Sequence, residues 1–353
     1  MKYLITYFSL FTFFIFSDQF YAQNSVETSK KKAPSELFRS EQVLPIQLSF
    51  SIKELKKTTN DSTYLKTNLG YLDNDGSQKE IEAQLRVRGY FRLKNCYFPP
   101  LKLKIKKSDS KDNLFEGNKE LKLVVQCSAK KGTNDYIIKE YLAYKLYELI
   151  STYHYKTRLA NVSLTEIKGS QEKNYEFLGF FIEDTKKVAK RGGGDVLKRN
   201  VHPMAQDPTE SVHNAFFQFM IGNTDFSTYA QHNEKLLFVD KKIVPLPYDF
   251  DMSGLVNANY ASISEAGDTP LPISSVKERY YRGFKRDPKI IAQVRQEFRN
   301  NKFKVIELID SLEPLFEDPK EFSYAKNYLM DFYKVMENDA LYKKEITNRL
   351  RTN

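Results

Sequence analysis

Hydrophobic and polar residues alternate over several stretches between residues 43 and 127, and this period is typical of half-buried strands. Ile46, Leu48 and Phe50 recur at every second position of the first stretch. Between 101 and 106, leucine and isoleucine alternate with lysine in the same way. We therefore expect residues 43 to 127 to form a curled antiparallel sheet.

The hydrophobic spacing changes to a helical period at 134 to 151, where Ile138, Leu142, Leu146 and Leu149 follow a plausible cap. After about residue 205 the chain is predicted to be mostly helical, with two short strands near 235 to 247. The other predicted elements are strands at 159 to 167 and 175 to 182, and helices at 209 to 221, 288 to 314 and 320 to 349.

A strand-rich first half and a helix-rich second half predict an α+β chain with two lobes, and ligands commonly bind in the cleft between lobes. The predicted organisation is a signal peptide at 1–22, a flexible spacer at 23–42, a strand-rich lobe with one helix at 43–183, and a helical lobe with metal and catalytic loops at 184–353.

The first residues have the layout of a secretory leader, with Lys2 before an apolar run and a small residue, Ala22, at the expected cleavage position. The run of about 14 apolar residues is short for roughly 30 Å of hydrocarbon. We predict cleavage after Ala22 and export to the periplasm, the cell surface or the medium, with an uncleaved anchor as the alternative. No transmembrane segment is expected after cleavage.

Lysine and arginine outnumber aspartate and glutamate by 55 to 45, which gives a formal net charge of +10. This balance favours anionic partners such as phosphates, anionic lipid head groups or acidic proteins. The basic residues form no nucleic-acid motif, so no nucleic-acid partner is predicted. Arg88, Arg92 and Lys94 are interpreted as part of a solvated strand edge, with phosphate binding as the alternative. Cys96 and Cys127 form a single bridge or remain buried thiols, and the sequence leaves both open.

Carboxylate and amide side chains follow short apolar elements between residues 220 and 254, in the order Asp225, Asn233, Asp249 and Asp251. Protein-kinase-type phosphotransferases use this layout, in which one Asp orients the acceptor hydroxyl while an Asn and a second Asp hold magnesium. Hard oxygen ligands suit Mg²⁺ or Mn²⁺. The alternative is a structural role in turns and caps, or calcium binding.

These segments resemble the CotH-like proteins, a family of atypical kinases of bacterial spore coats and surfaces, and more distantly the HipA-like kinases. The resemblance covers roughly residues 81 to 300. It implies a two-lobed protein-kinase-like fold with an antiparallel-sheet N-lobe and a mostly helical C-lobe. The motifs that carry it are Arg88-Gly89, Phe98 to Lys104, Leu121 to Leu123, Gly179 to Glu183, Gly222 to Asp225, His232-Asn233 and Pro247 to Asp251.

The resemblance also implies roles for the oxygen-bearing residues. Asp225 would orient or deprotonate the acceptor, Asn233 would bind metal, and Asp249 would bind metal, with Asp251 as a second candidate for that last role. Seven residues separate Asp225 from Asn233, where the protein-kinase loop has four.

For the nucleotide, a kinase-like site needs a strand lysine that holds the phosphates and a helix glutamate that fixes the lysine. Lys102 or Lys104 and Glu140 are predicted for these roles, and the two lysines share one face of a strand. By fold analogy, Glu183 lies where the lobes join and would contact the base.

The predicted function is that of an exported phosphotransferase that moves the γ-phosphoryl group of ATP, or of another nucleotide, to a hydroxyl. The acceptor would be an exported protein or envelope molecule of acidic or anionic character. Two alternatives are a catalytically inactive kinase-like surface or binding protein, and a metal-dependent phosphoesterase that uses water as the acceptor.

Overall fold

The structure is a computed structural model that describes residues 32–89, 91–263 and 271–352. The predicted leader, 1–22, and the first part of the predicted spacer lie outside the described residues. Within the remainder of that spacer, a 3₁₀ turn at Glu36–Phe38 buries Leu37 and Phe38 against the barrel described next. The folded part therefore begins before residue 43.

A closed barrel of seven strands forms the first half of the described chain, in the order β1-β2-β3-β4-β5-β7-β6. The barrel is mixed, because β1 pairs in parallel with β6 and the other neighbours are antiparallel. The strands are β1 (Leu44–Phe50), β2 (Leu65–Leu72), β3 (Gln78–Val87), β4 (Leu101–Ile105), β5 (Glu120–Val125), β6 (Thr157–Lys168) and β7 (Gln171–Ile182).

The two-lobed kinase-like fold with an antiparallel N-lobe sheet is wrong for this chain. The parallel pairing of β1 with β6, from Leu44 opposite Ala160 to Phe50 opposite Glu166, closes the sheet into a barrel. Alternation predicts a strand and its buried face, but it does not specify the neighbouring strand. Closure here joins segments that lie far apart in the chain, so no local pattern reports it.

A second, three-stranded sheet and the helices complete the described structure. The small sheet has the order β10-β9-β8, and its strands are β8 (Asp195–Leu197), β9 (Glu234–Val239) and β10 (Lys242–Pro247). The helices are α1 (Ile52–Thr58), α2 (Phe91–Asn95), α3 (Asn134–Ile150), α4 (Thr185–Arg191), α5 (Pro208–Ile221), α6 (Pro288–Asn300), α7 (Lys302–Leu312), α8 (Pro319–Glu337) and α9 (Asp339–Glu345).

None of the helices in the described parts of the chain is long and apolar enough to cross a membrane.

Helix α3 lies in the core between the barrel and the C-terminal helices. Most of its residues from Asp135 to Tyr147 are buried, including the ionisable Lys139 and Glu140. A helix that is covered on all sides loses its amphipathic pattern, because every face then meets protein. The position of α3 brings Glu140 into the interior of the molecule.

Cys96 and Cys127 form a disulfide, with their Cα atoms 4.6 Å apart. The bridge joins the residue that follows α2 to the segment after β5. The amide groups of Tyr97 and Phe98 also donate to the carbonyl of Cys127, at 2.8 and 3.2 Å. The short helix α2 is therefore fixed to the end of β5 by one covalent bond and two hydrogen bonds.

Candidate functional site

Three carboxylates from two parts of the chain lie close enough to interact electrostatically, namely Glu140 on α3 and Asp249 and Asp251 after β10. Glu140 and Asp251 are only 2% and 6% exposed. Burial raises the pKa of Glu140 well above its usual value, and the charges of Asp251 and Asp249 raise it further. Burial and the charge of Asp249 likewise raise the pKa of Asp251 to about 6.

Two arginines offset part of this negative charge. Arg92 on α2 and Arg88 after β3 both lower the pKa of Glu140, and Arg92 also lowers that of Asp251. Arg92 is 7% exposed, donates to the carbonyl of Val125, and is therefore not part of a solvated edge as the sequence indicated. We call Arg88, Arg92, Glu140, Asp249 and Asp251 the carboxylate cluster.

The backbone of Asp249 has an uncommon conformation, with φ at +65°, in the left-handed region that non-glycine residues seldom occupy. Its amide donates to the hydroxyl of Tyr144 on α3 at 3.0 Å, which fixes the strained residue to the helix that carries Glu140. Strain of this kind persists where the surrounding structure enforces it, and it is common at functional sites.

Lys122, in the middle of β5, is the lysine that lies among these charges. Its ammonium group is 4.7 Å from the ring centroid of Tyr248. Burial, with repulsion from Arg88, lowers the pKa of Lys122 to about 8, although the charge of Asp249 opposes both effects. Sequence alone does not distinguish Lys122 from Lys102 and Lys104, because all three lysines alternate with apolar residues.

Asp225 follows α5, which begins after the Asp207 cap and ends at Ile221, before Gly222. Gly222 has φ at +62°, and a Cβ there would lie 1.8 Å from the hydroxyl of Tyr328, so only glycine fits. The chain then turns so that the amide of Asp225 donates to the side chain of Asn223 at 3.0 Å. Local sequence thus fixes the position of Asp225.

Polar neighbours hold the side chain and backbone of Asp225. The amide nitrogen of Asn233 donates to its Oδ2 at 3.0 Å and to its carbonyl at 2.8 Å. His232 Nε2 lies 3.2 Å from its Oδ1. Arg282 donates to the carbonyls of Thr224 and Phe226, both at 2.7 Å, so it braces the chain on either side of Asp225.

Asp225 and the carboxylate cluster are close enough to interact, because the charge of Asp225 contributes to the raised pKa of Asp251. The structure therefore brings together five of the residues that the sequence singled out, Asp225, Asn233, Glu140, Asp249 and Asp251, although Asn233 contacts Asp225 through its amide nitrogen. Its amide oxygen makes no hydrogen bond within the described residues.

Three other candidates have different surroundings. Lys102 makes an ion pair with Glu120 at 2.7 Å, and the ammonium of Lys104 lies 5.4 Å from the ring centroid of Tyr64. The Glu183 carboxylate accepts from the amide of Lys156 and from Arg191, so it joins two backbone segments. Their predicted roles in nucleotide binding stay predictions.

No group of three or more His, Cys, Asp or Glu side chains is arranged to hold a metal ion in the part of the chain that the structure describes. Burial, together with repulsion between the carboxylates, raises the pKa of Glu140 and Asp251. Mg²⁺ is usually held by one or two carboxylates together with substrate phosphates. Asp249 and Asp251 would supply the carboxylates of such a site.

Glu234, next to Asn233, is fully buried, and burial raises its pKa to about 7, although hydrogen bonds from Asn214 and Thr228 lower it. Its protonated form is favoured by folding, so this contribution to stability is complete below pH 4.5, the ordinary pKa, and is lost as the pH rises through about 7. We expect Glu234→Gln to stabilise the protein by up to about 3 kcal/mol near pH 8.

Urea unfolding of both proteins at about pH 5 and about pH 8 measures this effect. The stabilisation should be largest at the higher pH and should nearly vanish at the lower one. An equal gain at both pH values would show that the proton on Glu234 is not its cause.

No known protein-family model matches this chain, and comparison with curated proteins finds no match.

Proposed function

We propose that this protein is an exported phosphotransferase, related to the CotH-like proteins, whose reaction centre is Asp225 together with the carboxylate cluster. The observation that supports it is the convergence of Lys122, Glu140, Asp249, Asp251 and Asp225 from separate elements. Placing several charges in buried and half-buried positions is costly unless a ligand of mixed charge binds among them. A metal-bound nucleoside triphosphate is a ligand of mixed charge.

In the proposed reaction, an acceptor hydroxyl oxygen forms a bond to the γ-phosphorus while the bond from that phosphorus to the bridging oxygen breaks. The hydroxyl proton passes to the Asp225 carboxylate, and the electron pair of the broken bond leaves with the nucleoside diphosphate. Asn233 and Arg282 hold Asp225 in place for this step. The acceptor is a hydroxyl of an exported protein or envelope molecule.

Asp249, Asp251 and the amide oxygen of Asn233 would hold Mg²⁺ or Mn²⁺ jointly with the phosphates. The metal would neutralise charge on the phosphates and lower the repulsion among the buried carboxylates. Lys122 supplies a positive charge beside Asp249. Glu140 is compensated by Arg88 and Arg92, which takes the place of the predicted pairing with Lys102 or Lys104.

The mature protein, incubated with Mg²⁺ or Mn²⁺ and γ-labelled ATP, should label itself or an acidic protein substrate, and Asp249→Asn should abolish the label. Nucleotide binding without transfer under either metal would favour the inactive binding protein. Release of labelled phosphate without any acceptor labelling would favour the phosphoesterase. A protein that binds no nucleotide at all would refute the proposal.

Two competing assignments of the phosphate-binding lysine can be separated by matched variants. Lys122→Met should weaken nucleotide binding roughly 10- to 100-fold, the value of a charge-assisted hydrogen bond. Lys102→Met removes an ammonium from the opposite position of the neighbouring strand, yet it should have little effect, because Lys102 is paired with Glu120.

Isothermal titration with ATP and Mg²⁺ measures both affinities. Binding to the unaltered protein should also weaken as the pH rises above about 8, where Lys122 loses its charge. A larger loss for Lys102→Met than for Lys122→Met would contradict this assignment.

A further inference from the structure

The seven residues between Asp225 and Asn233 form a small hairpin. Ser227 and His232 exchange backbone hydrogen bonds of 3.1 and 3.0 Å at its base. At its tip, Tyr229 is 66% exposed. Because His232 lies 3.2 Å from the Asp225 carboxylate, any chain that delivers a hydroxyl to Asp225 must pass close to this hairpin.

A second segment, 198–204, lies beside the hairpin and is tied to it. The side chain of Gln231 donates to the carbonyl of Arg199 at 3.1 Å, and the rings of His202 and Tyr229 are 6.3 Å apart. Met204 in this segment is 43% exposed. The two segments therefore present one continuous surface.

A buried arginine fixes the backbone of this surface by hydrogen bonds. Arg286, which is 8% exposed, donates to the carbonyls of Pro203 and Met204 at 2.5 and 2.9 Å and to the hydroxyl of Ser211 at 3.0 Å. A surface that is ordered before binding loses less conformational entropy on association. An exposed tyrosine and methionine on a fixed backbone are typical of interaction surfaces.

The charge of the surface indicates its partner. Lys198 and Arg199 are exposed, and neither makes an ion pair within the part of the chain described here. Cations without partners beside exposed aromatic and thioether side chains complement a segment that carries both carboxylates and an apolar residue.

We infer that Lys198, Arg199, His202, Met204 and Tyr229 form a docking surface for the acceptor, and that the acceptor is an acidic polypeptide segment with an apolar side chain near its reactive hydroxyl. The inference rests on the proposed function, because it takes Asp225 as the residue that receives the acceptor. It adds the class of acceptor and the residues that select it.

The test uses a short fluorescent peptide rich in glutamate, with a serine and a phenylalanine, and its neutral counterpart with glutamine. Anisotropy without nucleotide measures binding to the full chain. Tyr229→Ser, and Lys198→Ser combined with Arg199→Ser, should each weaken binding of the acidic peptide about tenfold. The double variant should also lose most of the salt dependence.

Matched control variants outside the docking surface should bind the acidic peptide as the unaltered protein does. Phe303→Ser removes a ring that is 76% exposed, and Lys343→Ser with Lys344→Ser removes the same charge as the double variant. The inference would be overturned if the neutral and acidic peptides bound equally, or if the controls lost as much binding as the docking variants. It would also be overturned if the docking variants bound anionic lipid vesicles more weakly but bound the acidic peptide normally.

Nucleotide affinity, measured on the same preparations, keeps the two proposals apart. The docking variants should bind ATP as the unaltered protein does and should raise the KM for the peptide more than they lower kcat. Peptide docking that depends on Tyr229 in a protein that never transfers phosphate would refute the phosphotransferase and leave the docking surface standing. ATP-dependent transfer without docking that depends on Tyr229 would refute the docking surface and leave the phosphotransferase standing.

Discussion

Asp225→Asn is expected to reduce phosphoryl transfer by a factor of about 10² to 10⁴, the usual contribution of a positioned general base. The amide has nearly the shape of the carboxylate and can still accept from Asn233, but it cannot take the acceptor proton. Nucleotide affinity should remain within about threefold of the unaltered protein, because Asp225 does not hold the nucleotide in this scheme. Single-turnover kinetics with labelled ATP measures the transfer step.

The matched control is Asp195→Asn, which makes the same chemical change on a side chain that is 76% exposed and paired with Lys190. It should transfer phosphate at the normal rate. Substantial activity in Asp225→Asn would exclude the proposed role of Asp225. Loss of nucleotide affinity together with transfer would instead assign Asp225 to nucleotide binding.

Arg92→Met is expected to destabilise the fold by about 3–5 kcal/mol at neutral pH, because it leaves Glu140 and Asp251 buried without their main compensating charge. In the native fold the pKa of Asp251 is raised from 3.8 to about 6, so folding favours its protonated form and stability is lost as pH rises through about 6. Removing Arg92 makes this decrease in folding stability with rising pH larger. The variant should therefore recover part of its stability near pH 5.

Thermal unfolding across this range measures the effect. Arg158→Met serves as the control, since Arg158 is also buried, at 4% exposed, but donates to the carbonyls of Leu37 and Gln42. Its destabilisation should not change between about pH 5 and pH 8. A similar pH dependence in both variants would show that the buried carboxylates are not the cause.

The hydrophobic period predicts much of the local structure, but it does not predict where a long helical segment is interrupted. The helix expected at 134 to 151 spans Asn134–Ile150. The segment expected as one helix at 288 to 314 divides at Asn301 into α6 and α7. The segment at 320 to 349 breaks at Asn338, whose side chain accepts from the amide of Leu341. Asparagine is a common residue at helix ends, but the hydrophobic period continues across both asparagines and predicts one helix in each segment.

The residues of the candidate site show the same division. Asp225, Asp249 and Asp251 could be singled out from sequence, since they follow short apolar elements, whereas Glu140 lies within α3. The cations could not, because Lys102, Lys104 and Lys122 occupy equivalent positions of alternating strands. Only the packing of α3 against the barrel determines which of them lies among buried acids. Arg92 looked solvated for the same reason, as its burial depends on residues from distant segments.

The bond between Cys96 and Cys127 links the assembly of the cluster to redox chemistry. It fixes α2, and hence Arg92, to the end of β5, the strand that bears Lys122. Such bonds persist where the surroundings are oxidising and are rare where thiols are kept reduced. If the chain is exported as proposed, it would lack this bond until it reached oxidising surroundings. Under the proposed export, Arg92 would be fixed beside Glu140 and Asp251 only after the chain had left the compartment where it is made.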